Sequence, residues 1–170
     1  EIDIDGQTIL VNSKVAIIGL GGLGCPVSTY LASSGLGTLL LIDDDTVSLT
    51  NLNRQTLFTE NDLNKNKVDA ASKRLLELNS DLIIKTDKSR VDQRFDTSKL
   101  KEFDVIIDCT DNFEARTLIN QISLLHRIPL ISGAALKFEG QVAVFRNDID
   151  NEPCYRCLLY TSPSPRDTNP

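Results

Sequence analysis

KVAIIGLGGLG, residues 14–24, is the stretch of sequence that indicates the fold. Its first five residues, Lys14 and the apolar, partly β-branched run that follows it, are typical of a short buried strand. The glycines that follow, Gly19, Gly21, Gly22 and Gly24, fit the pattern G-x-G-x-x-G and lead into a helical pattern. Glycines in such a turn let the backbone approach a phosphate, which then lies on the N–H groups of the helix.

Strands and helical patterns continue to alternate along the chain. Further strands are predicted over residues 38–42, 81–86, 103–109, 129–132 and 141–145, and further helices over residues 67–78 and 113–126. This alternation predicts an α/β, Rossmann-like fold, in which a mostly parallel sheet has helices on both faces. We expect one domain over residues 1–158, followed by a disordered or non-native tail over residues 159–170 that is rich in Ser, Pro and Thr.

The composition is that of a globular protein, with 41% hydrophobic and 25% charged residues among 170. No apolar run is long enough to cross a membrane, so we expect no membrane partner. The net charge of -6 argues against non-specific binding of nucleic acid. Two of the four cysteines lie in apolar stretches and two form a Cys-x-x-Cys pair, which favours a reducing compartment, so we expect a cytoplasmic protein.

Asp43 adds to the nucleotide-binding signal of the glycine loop, residues 19–24. It lies 19 residues after Gly24, at the end of the second strand, where a carboxylate binds ribose hydroxyls in dinucleotide-binding folds. The alternative is that the glycines only permit close packing of the helix on the strand. Strand, helix and acidic residue together favour nucleotide binding, but they do not separate a dinucleotide from ATP.

Four polar residues bear on that choice. Asn51, Arg54 and Lys67 follow the second strand and Asp111 follows the fourth, so all four belong to the carboxyl edge of the sheet. A triphosphate needs cations such as Arg54 and Lys67, and adenylyl transfer needs them where charge builds on the pyrophosphate leaving group. The carboxylate of Asp111 is a ligand that Mg²⁺ prefers. The alternatives are that both cations are solvated and that Asp111 caps the next helix.

Cys154 and Cys157 have the spacing of half a tetrahedral zinc site. Three interpretations stay open: half a structural zinc site, a redox pair, or two free thiols. A redox pair usually opens a helix after a strand, and the local pattern does not predict such a helix. Cys109 is interpreted as a core residue, since buried thiols behave as small apolar groups.

Residues 19–24, 43–55, 109–112 and 133–145 together resemble the MoeB/ThiF/HesA family, which contains prokaryotic-type relatives of ubiquitin-activating enzymes. The resemblance implies an adenylyltransferase, a nucleotidyltransferase that uses ATP and Mg²⁺. Its expected substrate is the C-terminal glycine carboxylate of a ubiquitin-like sulfur-carrier protein that ends in Gly-Gly, and its expected product is an acyl-adenylate with release of pyrophosphate. Such carriers serve molybdopterin or thiamine sulfur transfer. The resemblance also implies a homodimer.

By the same resemblance, each motif residue has an expected role. The glycine loop lies under the nucleotide and Asp43 binds the ribose. Asn51, Arg54 and Lys67 contact the phosphates, and Asp111 organises Mg²⁺. Arg54, Lys67 and Asp111 form the expected catalytic set.

The resemblance covers nearly the whole chain up to Leu158, but some family features fall outside it. Family members carry an N-terminal helix whose arginine reaches a neighbouring ATP site. They also carry a downstream loop, which in some members holds a reactive thiol, and a second Cys-x-x-Cys that completes a Zn²⁺ site with a pair such as Cys154 and Cys157. We therefore expect the chain to be a fragment of such a protein, incomplete at both ends.

Two other functions stay open from the sequence. An NAD-dependent oxidoreductase explains the glycine loop and Asp43, but not the joint presence of Asn51, Arg54, Lys67 and Asp111. A non-catalytic nucleotide-binding scaffold that binds the carrier without activating it is the third hypothesis.

Overall fold

The structure is a computed structural model, and it describes residues 3–160. The helices are α1 (Ile4–Asn12), α2 (Gly24–Ser33), α3 (Lys67–Leu78), α4 (Phe113–His126) and α5 (Tyr155–Tyr160). The strands are β1 (Lys14–Ile18), β2 (Thr38–Ile42), β3 (Ile83–Asp87), β4 (Val105–Asp108), β5 (Leu130–Leu136) and β6 (Glu139–Phe145). Short 3-10 turns cover Leu49–Asn51, Glu60–Asp62 and Thr97–Leu100.

The six strands form one sheet in the order β3-β2-β1-β4-β5-β6. Strands β1 to β5 pair in parallel, and β6 runs antiparallel to β5. Helices α2 and α3 pack on one face of the sheet, and α4 packs on the other. The predicted Rossmann-like fold is therefore confirmed.

The strand order creates a crevice at the carboxyl ends of β1 and β4. The chain leaves β1 for β2 on one side and later enters β4 on the other side of β1. Ligands of open α/β sheets bind where the strand order reverses in this way, because the two diverging connections leave a gap. The loops after β1 and β4 therefore line the expected binding site.

The central strands lie where the apolar runs predict them. All five residues of β2 are buried, as are four of the five residues of β1. Strands covered on both faces have this continuous apolar sequence, because no side chain of such a strand reaches water. Helix α3 also has its predicted bounds, residues 67–78.

The hairpin of β5 and β6 is longer than the sequence predicts. The predicted strands end at residue 132 and begin at residue 141, whereas pairing continues from Gly133↔Val142 to Leu136↔Glu139. Lys137, in the turn, has a positive φ of 56°. Most side chains of this extension are exposed. The strands of this extension are joined by backbone hydrogen bonds, which do not require apolar side chains. No apolar pattern therefore predicts them from the sequence.

Helix α1 is not predicted by the sequence patterns. It buries none of its residues, so it lacks the apolar stripe by which a helix is recognised. Its start is fixed locally, because the carboxylate of Asp3 accepts a hydrogen bond from the Gly6 N–H at 2.8 Å.

Helix α5 extends to Tyr160, two residues into the predicted tail. The rest of that tail, residues 161–170, lies outside the described residues. No helix within residues 3–160 has the length and apolar character needed to cross a membrane.

Candidate functional site

The glycine loop is held close to the backbone around it. A Cβ on Gly24 would lie 1.9 Å from the carbonyl oxygen of Gly19, and a Cβ on Gly19 would lie 3.0 Å from that of Cys109. Gly19 also has a φ of +92°, which side chains rarely adopt. Gly21 differs, because a Cβ there would meet nothing within 4 Å. The loop therefore needs glycine at 19 and 24 for its fold, while Gly21 faces open space.

Asp43 is fixed against this loop. One carboxylate oxygen accepts a hydrogen bond from the Leu20 N–H at 2.6 Å, and the other accepts one from the Asp45 N–H at 2.9 Å. Burial raises the pKa of Asp43 above its ordinary value, although these N–H groups and the Lys67 ammonium oppose the shift. The carboxylate thus lies at the end of β2, where the sequence predicts a ribose contact.

Lys67 is buried at the same place. Its Nζ lies 2.8 Å from Asp45 Oδ2 and 3.8 Å from Asp43 Oδ1, and its side chain is only 4% exposed. The alternative that Lys67 is a solvated loop charge is therefore excluded. Lys67 is the first residue of α3. It pairs with Asp43, which in turn accepts a hydrogen bond from Leu20 in the glycine loop.

Arg54 packs against the glycine loop at Gly22. Its Cγ is 3.6 Å from the position of a Cβ on Gly22. Its Nη2 donates to Asn51 Oδ1 at 3.1 Å, and the residue is exposed. The stem of Arg54 thus packs on the loop while its guanidinium, next to the Asn51 amide, stays open to solvent.

Asp111 lies in the turn between β4 and α4. It is exposed and makes no hydrogen bond or ion pair within residues 3–160. Asn112 caps α4 instead, because its side chain accepts from the Ala115 N–H at 2.8 Å. The alternative role of Asp111 as the helix cap is therefore excluded. A free carboxylate oxygen in this turn fits a ligand of Mg²⁺.

The predicted residues contact the glycine loop either directly or through one neighbouring residue. The Thr110 nitrogen, next to Asp111, lies 3.2 Å from the position of a Cβ on Gly19. Asp43 bonds the loop directly, Lys67 pairs with Asp43, Arg54 packs on Gly22, and Asn51 bonds Arg54. The fold therefore brings carboxylates and cations from four separate segments to one edge of the sheet.

Sequence reasoning missed Arg116 and Ser132. Arg116 is buried beneath the β4–α4 turn and donates to Ser132 Oγ at 3.3 Å. Asp108 accepts a hydrogen bond from the Thr110 N–H at 2.9 Å and so supports the turn. A signal for Arg116 exists, because it falls at helical spacing with Ile119, on the buried face of α4.

Cys154 and Cys157 have sulfur atoms 3.8 Å apart. Two thiolates of a tetrahedral zinc site, each about 2.3 Å from the ion, also lie about 3.8 Å apart, so the pair fits half of such a site. Within residues 3–160, no third His, Cys, Asp or Glu completes a metal-binding group with them. The expectation that no helix opens at this pair is wrong, because α5 begins at Tyr155.

The four thiols are expected to differ in reactivity. Burial raises the pKa of Cys25 to about 11 and that of Cys109 to about 12, so almost no thiolate forms at either near neutral pH. Cys157 is exposed and Cys154 is half-buried. We expect Ellman's reagent at neutral pH to modify Cys154 and Cys157 in the native protein, and all four thiols after denaturation. A native double variant, C154S/C157S, that still reacted rapidly would contradict the burial of the other two.

Comparisons with known proteins identify the family. The ThiF family model matches residues 1–170. The molybdopterin-synthase adenylyltransferase of Escherichia coli (strain K12) is 46% identical over 156 residues, covering 92% of this chain and 62% of the relative. The adenylyltransferase and sulfurtransferase MOCS3 of Culex quinquefasciatus is 42% identical over 165 residues, covering 97% of this chain and 37% of the relative.

Solved structures share the fold. A crystal structure of E. coli MccB with AMPCPP and selenomethionine MccA has a TM-score of 0.80 and 30% identity, over 92% of this chain and 46% of that chain. A crystal structure of PaaA has a TM-score of 0.74 and 37% identity, over 84% of this chain and 44% of that chain. The chain thus spans less than two thirds of the length of each of these relatives. The match over the whole chain, together with the sheet order and the glycine loop, shows that the chain belongs to the ThiF family.

Proposed function

We propose that the chain is the ATP-binding part of an adenylyltransferase that activates the C-terminal carboxylate of a ubiquitin-like sulfur carrier ending in Gly-Gly. The observation that carries the proposal is the convergence of Asp43, Arg54 and Lys67 on one glycine loop, with Asp111 in the adjoining β4–α4 turn. The adenylyltransferase names of the curated relatives support it. So does the MccB structure, because AMPCPP is an analogue of ATP.

The residues suit a reaction without a protein nucleophile. The carboxylate of the carrier attacks the α-phosphorus of ATP, the bond from that phosphorus to the bridging oxygen breaks, and pyrophosphate leaves. Such a transfer needs alignment and neutralisation of charge. In the proposal, the loop N–H groups and Asp43 hold the nucleotide, while Asn51, Arg54 and Lys67 offset the charge on the leaving pyrophosphate.

Asp111 is the residue that would hold Mg²⁺. When bound, the ion neutralises phosphate charge and orients the triphosphate. Asp111 is suited to this role because it is exposed and has no partner within residues 3–160.

The proposal also covers a structural metal, the sulfur-transfer branch, the oligomeric state and the compartment. Cys154 and Cys157 would supply two of four ligands to a structural Zn²⁺. The carrier would belong to molybdopterin or thiamine sulfur transfer, and the protein would act as a homodimer in the cytoplasm. The names of the curated relatives favour the molybdopterin branch.

Exchange of labelled pyrophosphate into ATP tests the activity. It is measured with Mg²⁺ and a Gly-Gly-ended carrier, using the longest natural form of the protein because the chain spans 62% of one relative and 37% of the other. We expect exchange that depends on the carrier. ATP binding without exchange would indicate a scaffold, and binding of NAD in place of ATP would indicate an oxidoreductase.

Arg54→Ala is expected to slow this exchange about tenfold or more, because a group that offsets charge on the leaving pyrophosphate is lost. Arg74→Ala is the matched control, since it removes the same charge from an exposed site on α3, where Arg74 pairs with Glu77 at 2.8 Å. The control should keep the parent rate. Equal rates for Arg54→Ala and the parent would remove Arg54 from the site.

A further inference from the structure

We propose that Arg116 is a positioning residue for Asp111, because it fixes the β4–α4 turn that presents this carboxylate to the nucleotide. The inference rests on the proposed function. Arg116 lies in the first turn of α4, and only 9% of the residue is exposed. Burying a charge costs free energy unless its hydrogen bonds are well made. A buried guanidinium next to the proposed nucleotide site therefore indicates a specific role.

The guanidinium of Arg116 joins the turn to strand β5. Its Nη2 donates to the carbonyl oxygens of Thr110, in the turn, and of Gly133, in β5, the latter at 2.8 Å. Its Nη1 donates to Ser132 Oγ at 3.3 Å. One planar group thus reaches three acceptors on two segments, which a flexible ammonium does not match.

Asp108 holds the same turn from the strand below. Its Oδ1 accepts from the Thr110 N–H at 2.9 Å and from the Thr110 hydroxyl at 2.7 Å, and its Oδ2 accepts from Ser132 Oγ at 3.1 Å. The N–H, hydroxyl and carbonyl of Thr110 are therefore all bound. Because the Thr110 carbonyl and the Asp111 N–H share one rigid peptide plane, Arg116 sets the direction in which Asp111 leaves the turn.

Simple packing explains Arg116 poorly. Arg116 takes part in none of the ion pairs found between residues 3 and 160. Apolar residues often replace buried charges without loss of stability, so stability alone does not demand an arginine. The rigid, planar donors of a guanidinium suit a turn that must hold a carboxylate in one orientation.

The test is calorimetric binding of AMPCPP to the chain, with and without Mg²⁺. Arg116→Lys keeps the positive charge and removes the planar set of guanidinium N–H donors. We expect it to weaken binding with Mg²⁺ about tenfold, the effect of one lost charge-assisted hydrogen bond, and to leave binding without Mg²⁺ unchanged. In an Asp111→Ala background, Arg116→Lys should have no further effect, because the residue it positions is absent.

Ser123→Ala is the matched control. Ser123 is buried on the same helix, about 10 Å further along, and accepts from Asn147 Nδ2 at 2.8 Å. It should lower stability and leave AMPCPP binding intact. A control that weakened binding as much as Arg116→Lys would overturn the proposal.

Three further results would also overturn it: unchanged binding by folded Arg116→Lys, equal weakening with and without Mg²⁺, and an equal effect in the Asp111→Ala background. Should Arg116→Lys not fold, Ser132→Ala removes one acceptor and should weaken Mg²⁺-dependent binding about threefold. Unchanged binding by that variant would decide against the proposal. A parent chain that bound no AMPCPP with Mg²⁺ would instead fail the proposed function itself.

Discussion

Gly24→Ala is expected to destabilise the chain by about 3 kcal/mol or more and to abolish nucleotide binding. The added Cβ would lie 1.9 Å from the Gly19 carbonyl oxygen, a backbone atom that cannot move without opening the loop. Urea denaturation gives the free energy of unfolding, and calorimetry with AMPCPP and Mg²⁺ gives the affinity.

Gly21→Ala is the matched control for this substitution. It adds the same methyl group to the same loop, where nothing lies within 4 Å. We expect the free energy of unfolding to change by less than about 0.5 kcal/mol. Affinity for AMPCPP should fall about tenfold, because the methyl group occupies the space in which we propose that the phosphate lies. A Gly21→Ala variant with parent affinity would show that the nucleotide does not lie over this glycine. A Gly24→Ala variant of parent stability would contradict the loop geometry.

Asp111→Ala is expected to lower Mg²⁺-dependent pyrophosphate exchange by about a hundredfold or more, because the ligand that we propose for the ion is lost. Stability should stay within about 0.5 kcal/mol of the parent, since Asp111 is exposed and has no partner within residues 3–160. The measurement is the exchange rate as a function of Mg²⁺ concentration, with thermal unfolding run in parallel.

Glu114→Ala serves as the control, because it removes an exposed carboxylate three residues further on in the first turn of α4. It should keep the parent exchange rate. Survival of Mg²⁺-dependent exchange in Asp111→Ala would show that the metal is held elsewhere.

The sequence predicts most of the sheet, the glycine loop and the position of Lys67, because short stretches of sequence determine these features. All five residues of β2 are buried and four of them are apolar, so their pattern predicts the strand without further information. The glycine loop is equally local, since the close approach of Gly24 to Gly19 spans five residues. Lys67 begins α3 at the predicted residue.

The features of the site that the sequence does not predict depend on contacts between segments distant in the chain. The ion pair of Lys67 with Asp45 joins residues 22 apart, and the bond of Arg116 to Gly133 joins residues 17 apart. Neither pairing leaves a periodic pattern in the chain. Helix α1 and the extended hairpin were missed for a different reason, because their side chains are mainly exposed and hydrophobic periodicity reports only burial.

The position of the nucleotide is best determined by a crystal structure of the chain with AMPCPP and Mg²⁺. We expect a triphosphate over Gly21, with its oxygens within hydrogen-bond distance of Arg54 and Lys67, the ribose on Asp43, and the ion on Asp111. A nucleotide bound away from the glycine loop, with Arg54 and Asp111 still facing solvent and Lys67 still paired only with Asp43 and Asp45, would contradict this expectation.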